Sequence, residues 1–98
     1  MFIKFKGIEK TFTTSSIIEQ KLYKQGESNG WLLSLNISGD FTAQEIDNIL
    51  TTESISEITL VGETKENAVI SGYEKATSCV VRYAEDKNTA EINLTKGV

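Results

Sequence analysis

The sequence predicts an α+β fold: a mostly antiparallel β-sheet with one short α-helix near residues 43–51. Several segments alternate apolar and polar residues at the two-residue period of a strand that buries one face. Polar turn-forming residues separate these segments, and a helix-capping sequence leads into an apolar stripe of helical spacing. A barrel-like or sandwich-like arrangement of the strands is compatible with this pattern.

The first half of the sequence predicts strands joined by polar connections. Residues 2–12 alternate around Gly7, which accepts the positive φ of a tight turn or a bulge. Another strand is expected over residues 17–23, and residues 24–30, with two glycines, are predicted to form a hairpin connection or a mobile loop. The clearest strand is residues 31–37, where four apolar side chains share one face: Trp31, Leu33, Leu35 and Ile37.

The helix is predicted from its first turn. Thr42 and Glu45 fit a capping box, in which each side chain bonds the backbone N–H of the other residue. Phe41 and Ile46 flank the box as a hydrophobic staple. The apolar stripe that follows is short, so we expect the helix to end near residues 50–52; it comprises Ile46, Ile49 and Leu50.

Four strands are predicted after the helix, over residues 58–61, 69–73, 79–84 and 90–95. Polar residues 62–67 and 85–88 are expected to connect them in pairs. Cys79 lies within a β-branched run, and we predict that it is a small buried hydrophobe. The 98 residues match the size of one domain, so residues 1–98 are expected to form a single unit.

The residue types needed for most enzyme chemistry are missing. The chain has no histidine, which excludes histidine-based triads, metal sites and general bases, and it has no Walker or Rossmann glycine motif. Asp40 with Asp47, or Glu53 with Glu57, is conceivable as a carboxylate pair. Asp40 instead suits the start of the helix, and the two glutamates suit a polar connection. We therefore predict a non-enzyme with no catalytic, cofactor-binding or metal-binding residues.

The charge pattern restricts the partners. A net charge of −4 argues against binding to a phosphate backbone and to an anionic membrane surface. Lys4, Lys6 and Lys10 alternate with phenylalanines, a pattern that can bind single-stranded nucleic acid, but a solvated lysine face on an edge strand is the favoured interpretation. No segment resembles a signal peptide or a membrane span, so we expect a cytoplasmic protein or one assembled into a particle there.

Contact with a protein partner or with a second copy is the remaining expectation. The chain has no proline, which would block pairing at a strand edge, and residues 2–6 and 69–73 are the predicted edges. Tyr73 is a candidate aromatic anchor at the second edge, with packing at the core rim as the alternative. Trp31 is a second candidate contact residue, with capping of the core edge as the favoured interpretation.

The order of segments resembles small uncharacterised proteins of phages and prophages of Gram-positive bacteria, of the late structural type encoded near tail and baseplate components. The likeness lies in residues 32–37, 41–50, 55–61, 70–73 and 92–96. The resemblance implies a non-enzymatic structural or accessory protein, assembled into a phage particle, that acts by protein–protein contact. The alternative is a small acidic regulatory or inhibitory module that binds a host protein.

Overall fold

The computed structural model describes residues 1–24, 27–62 and 68–97, in which eight strands and two short helices form. The elements are β1 (Phe2–Phe5), β2 (Phe12–Thr13), β3 (Ile17–Lys24), β4 (Glu27–Gly39), α1 (Ala43–Ile49), α2 (Thr52–Ile55), β5 (Glu57–Val61), β6 (Ala68–Ser71), β7 (Lys75–Arg82) and β8 (Asn88–Lys96). Neither helix in these ranges is long and apolar enough to cross a membrane.

The strands form one antiparallel sheet in the order β6-β5-β1-β2-β4-β8-β7, and β3 pairs with β4. This confirms the mostly antiparallel α+β prediction. The barrel prediction is wrong, because β6 and β7 lie at the two ends of an open sheet in the described part of the chain. Barrel closure needs the two end strands to pair, and this pairing is a long-range property that alternation within each strand does not encode.

One face of the sheet is buried with the helices against it. The predicted row on β4 is confirmed, since Leu33 and Ile37 are fully buried and Leu35 is nearly so. The buried row on β8 lies beside it, and Phe5, Phe12 and Phe41 pack edge to face nearby. The whole core comprises Ile3, Phe5, Phe12, Leu33, Leu35, Ile37, Phe41, Ile46, Ile49, Ile55, Ile58, Tyr73, Ala90, Ile92 and Leu94.

The capping box of α1 is confirmed. The Glu45 backbone N–H donates to Thr42 Oγ1 at 3.2 Å, and the Thr42 N–H donates to Glu45 Oε1 at 3.0 Å. The helix ends at the cap residue Leu50, within the predicted range. A second helix, α2, was not predicted, because four residues are too few to show a helical stripe; its Thr51 cap accepts from the Ser54 N–H at 3.1 Å.

Several predicted boundaries shift. The turn at Gly7 is confirmed, with φ of 77° and a bond from the Ile8 N–H to the Phe5 carbonyl at 3.1 Å. The predicted connection over residues 24–30 is largely strand, because β3 runs to Lys24 and β4 starts at Glu27; residues 25–26 lie outside the described residues. Of the predicted connection 62–67, residues 63–67 also lie outside them.

Two bulges bend the sheet, and each faces an asparagine. Thr13 pairs with Ser38 and Ile17 with Leu35, so three residues between β2 and β3 face two on β4, one of which is Asn36. The second bulge lies in β7 at Thr77, where the register shifts between Ala76 and Ser78 opposite Asn93.

Candidate interaction surface

The predicted anchor Tyr73 lies inside the core. Its side chain is 1% exposed, and its hydroxyl donates to Glu19 Oε2 at 2.6 Å. The Lys96 ammonium lies 4.6 Å from the ring centroid and donates to the Ser71 carbonyl at 2.8 Å. Burial, reinforced by the Glu19 carboxylate, raises the pKa of the Tyr73 hydroxyl, so this group remains a hydrogen-bond donor. Tyr73 therefore links the strands and offers no exposed aromatic anchor, in agreement with the alternative of packing at the core.

Trp31 lies at the end of the buried row on β4. It is half-buried and packs against the core, as the capping interpretation predicts, and the Lys21 ammonium lies 5.3 Å from its ring centroid. Lys96 is opposite Trp31 in β8, and its ammonium contacts the Tyr73 ring. The two predicted contact residues thus flank one lysine, and neither presents a free aromatic face at a strand edge.

The structure corrects one of the two predicted edges. Residues 2–6 are not an edge, because β1 pairs with both β2 and β5. A strand that starts with lysines reads as a guarded edge in a sequence, but its position in the sheet depends on distant pairings. The second predicted edge is confirmed, since β6 ends the sheet. β7, at the opposite end, was not predicted as an edge.

The edge of β7 is incompletely buried on its core-facing side. Cys79 and Val81 are half-buried, whereas their partners on β8, Ile92 and Ala90, are each 1% exposed. On the outer face, Val80 is 58% exposed. Residues 78–82, here called the edge surface, therefore present backbone groups and apolar side chains together. The uncharged run Ser-Cys-Val-Val was the sequence signal that could have identified it.

Cys79 belongs to this surface without being a reactive group. Burial raises the pKa of its thiol, and the Asp47 carboxylate raises it further. A raised pKa disfavours the thiolate, which is the nucleophilic form. Cys79 packs against the core as a small hydrophobe, as predicted.

The outer face carries shallow grooves lined mainly by polar side chains. One groove of about 230 Å³ runs along Ser34, Asn36, Glu91 and Asn93, and another of about 350 Å³ borders Val80 and Arg82. Within residues 1–24, 27–62 and 68–97, no group of three or more cysteine, aspartate or glutamate residues is arranged to hold a metal ion.

The one ion pair recorded in the described part of the chain joins Lys10 and Glu45, at 2.9 Å. The hydrogen bond from Lys10, together with the Thr42 N–H, lowers the pKa of Glu45. Lys10 also bonds the Asp40 carbonyl, so these charges fasten the start of α1 to the chain before β2. This is a structural arrangement, and it leaves the acidic residues of the helix start already paired.

Comparison with protein-family models, curated proteins and solved structures finds no match. The function must therefore be argued from the surface of the molecule. Among the features described, the edge surface combines an unpaired backbone edge with half-buried apolar side chains, and it is the strongest candidate for a contact with another protein.

Proposed function

We propose that this chain is a non-enzymatic structural or accessory protein of phage or prophage type that acts by protein–protein contact. In this proposal a partner adds an extended segment to the edge surface of β7. The observation that carries the proposal is the difference in burial between Cys79 and Val81 on β7 and their partners on β8. A further strand beside β7 would complete the burial of this row.

Strand addition supplies both affinity and selectivity. Main-chain hydrogen bonds to the edge give affinity, and alternate side chains of the added strand contact the two faces. Complete burial of a valine side chain is worth about 1.5–3 kcal/mol relative to exposure. Val81 on one face and Val80 on the other each still have surface to lose. The apolar contribution of this short edge is therefore large enough to matter in a contact of ordinary size.

The other free edges are less suited to this role. β6 has four residues, and Lys96 already bonds the Ser71 carbonyl at its end. β3 carries Glu19 and Lys21 along its length and a bulge between Leu22 and Tyr23. Short edges, charged residues and bulges all discourage pairing with another strand. The edge surface of β7 has no charge between Ser78 and Val81.

A site-specific photocrosslinker tests the contact. A benzoylphenylalanine at Val80 samples the edge surface, and the same group at Ile18 is a matched control, because Ile18 is 50% exposed on edge strand β3. The proposal expects one defined protein to crosslink at position 80 and not at position 18. The same crosslinks from both positions, or none from position 80 in a cell that contains the natural partners, would contradict it.

The crosslinked protein, once purified, allows the contact to be measured. Val80→Lys places a charge on the edge and is expected to weaken binding at least about tenfold, a loss of about 1.4 kcal/mol. Ile18→Lys should leave the affinity within about twofold. A tail or baseplate partner supports the phage structural role, whereas a host regulatory protein supports the inhibitor alternative.

A further inference from the structure

A second exposed surface lies on the outer face of β1, β5 and β6. In β1, Ile3 and Phe5 point into the core, whereas Phe2 is 44% exposed and Lys4 is exposed. Lys4 pairs with Thr59 and Thr59 pairs with Val69, so these side chains share one face, on which Val69 is 56% exposed. We call Phe2, Lys4, Lys6 and Val69 the basic face.

The two lysines of the basic face are available to a partner. Lys4 and Lys6 line a groove of about 230 Å³ with Glu57 and Thr59. Over residues 1–24, 27–62 and 68–97 the recorded ion pair is Lys10–Glu45, so neither lysine has a carboxylate within ion-pair distance there. A surface that joins free ammonium groups to exposed apolar side chains fits an occupant with carboxylates and an aromatic or aliphatic group.

The loop between β7 and β8 has this chemistry. Tyr83 is 58% exposed, and Glu85 and Asp86 are exposed beside it. The loop is held in shape by a bond from the Ala84 N–H to Asn88 Oδ1 at 3.2 Å and one from the Lys87 N–H to Asp86 Oδ1 at 2.9 Å. Residues 83–86, here called the acidic corner, therefore present their charges with little ordering cost.

We propose that the basic face binds the acidic corner of a second copy of this chain. Lys4 and Lys6 meet the carboxylates of Glu85 and Asp86, and Tyr83 packs on the apolar part of the basic face. This contact is separate from the edge surface and does not depend on it. Exposed ion pairs contribute little each and are screened by salt, so the association is weak and salt-sensitive.

Single-stranded nucleic acid is the competing occupant, because lysines beside an exposed Phe2 can also receive stacked bases. The structure favours the protein contact. Phe5 and Phe12 are buried and cannot stack with bases, and the lysines would neutralise two phosphates at most on a chain of net charge −4.

Analytical ultracentrifugation of purified protein tests the proposal by charge exchange. The wild type is expected to exceed its monomer mass of 10.8 kDa as its concentration rises in about 50 mM salt, and to return to it in about 500 mM salt. The double variants Lys4→Glu/Lys6→Glu and Glu85→Lys/Asp86→Lys should each be monomeric, and their equimolar mixture should associate again. Lys21→Glu/Lys75→Glu, with the same change of charge elsewhere, and Val80→Lys should both associate like the wild type.

The result that overturns the proposal is equally defined. A wild type that stays at the monomer mass in low salt, a mixture that does not recover association, or a control that loses it as completely would each do so. Binding of an oligo-dT probe that Lys4→Glu/Lys6→Glu abolishes, in a protein that does not self-associate, would assign the basic face to nucleic acid. Circular dichroism of each variant confirms that these exposed substitutions leave the fold intact.

Discussion

Asn36 and Asn93 lie on the outer face of the sheet, each opposite a bulge, and they differ in what they bind. Asn36 Oδ1 accepts from the backbone N–H groups of Ser15 and Ser16 at 2.9 and 3.0 Å, and from Thr14 Oγ1 at 3.1 Å. Asn93 binds side-chain hydroxyls instead. It accepts from Ser34 Oγ at 2.6 Å and donates to Ser78 Oγ at 2.7 Å.

The difference follows from where each bulge lies. The Asn36 bulge is a joint inside the sheet, where the chain passes from β2 to β3 and two backbone donors lose their ladder partners. The Asn93 bulge lies in β7, the last strand, where water can reach the backbone. The first asparagine therefore replaces missing backbone partners, while the second shapes an edge whose remaining length, residues 78–82, stays free for a partner.

The comparison predicts that stability losses rank by the number of backbone N–H groups that a side chain satisfies. Asn36→Ala removes the acceptor for two of them and is expected to lower the free energy of unfolding by about 2–3 kcal/mol. Asn36→Asp, which keeps the acceptor oxygens, should lose clearly less. Urea denaturation measures both, and equal losses in the two variants would remove the special role of the acceptor.

Thr42 is an intermediate case, because its side chain satisfies one backbone N–H at the start of α1. Thr42→Ala is expected to cost about 1 kcal/mol, within the usual range for lost helix caps. Thr42→Ser keeps the hydroxyl and serves as the matched control. A Thr42→Ala protein as stable as the wild type in the same urea titration would show that the cap does not stabilise the fold.

Asn93 binds no backbone N–H through its side chain in the described part of the chain, so Asn93→Ala should cost least of the three, about 0.5–1 kcal/mol. It is also expected to leave the core unchanged and to alter the shape of β7. Amide shifts in an NMR spectrum should therefore change along β7 and β8 and remain constant around α1. A loss larger than that of Asn36→Ala would reverse the ranking and contradict the comparison.

The smallest expected effect concerns acid stability. Because the pKa of Glu45 is lowered in the folded state from its usual value of 4.5, its contribution to stability is complete above that value and is lost as pH falls through the folded-state pKa. Glu45→Gln should therefore show a shallower fall in stability below about pH 5 than the wild type. Lys10→Met should flatten the same limb, and identical acid limbs in all three proteins would contradict this assignment.

Local features of this fold were predictable from the sequence, and relations between distant segments were not. The capping box at Thr42 and the apolar row on β4 depend on residues a few positions apart, and both are confirmed. The order of the strands, which makes β7 an edge and places β1 inside the sheet, depends on pairings across the whole chain. Asn36 has the same limitation, since its partners lie 20 residues and more away in the sequence.

Burial of the candidate contact residues was the other uncertain point. Tyr73 follows a glycine at the end of a short strand, a pattern that fits an exposed anchor and a core residue equally well. Its burial depends on Glu19 and Lys96, which lie on two other strands. The half-buried state of Cys79 and Val81 likewise depends on β7 having no strand on its far side in the described part of the fold, which no pattern within β7 reveals.

Hydrogen–deuterium exchange on the complex with the purified crosslinked partner tests the central claim most directly, because strand addition changes the backbone of the edge itself. The account predicts slower exchange for the amides of residues 78–82 on binding, with the amides of the matched edge strand β3, Ile17–Lys24, unchanged. Protection confined to β3, or a bound complex in which the amides of residues 78–82 exchange as fast as in the free protein, would contradict it.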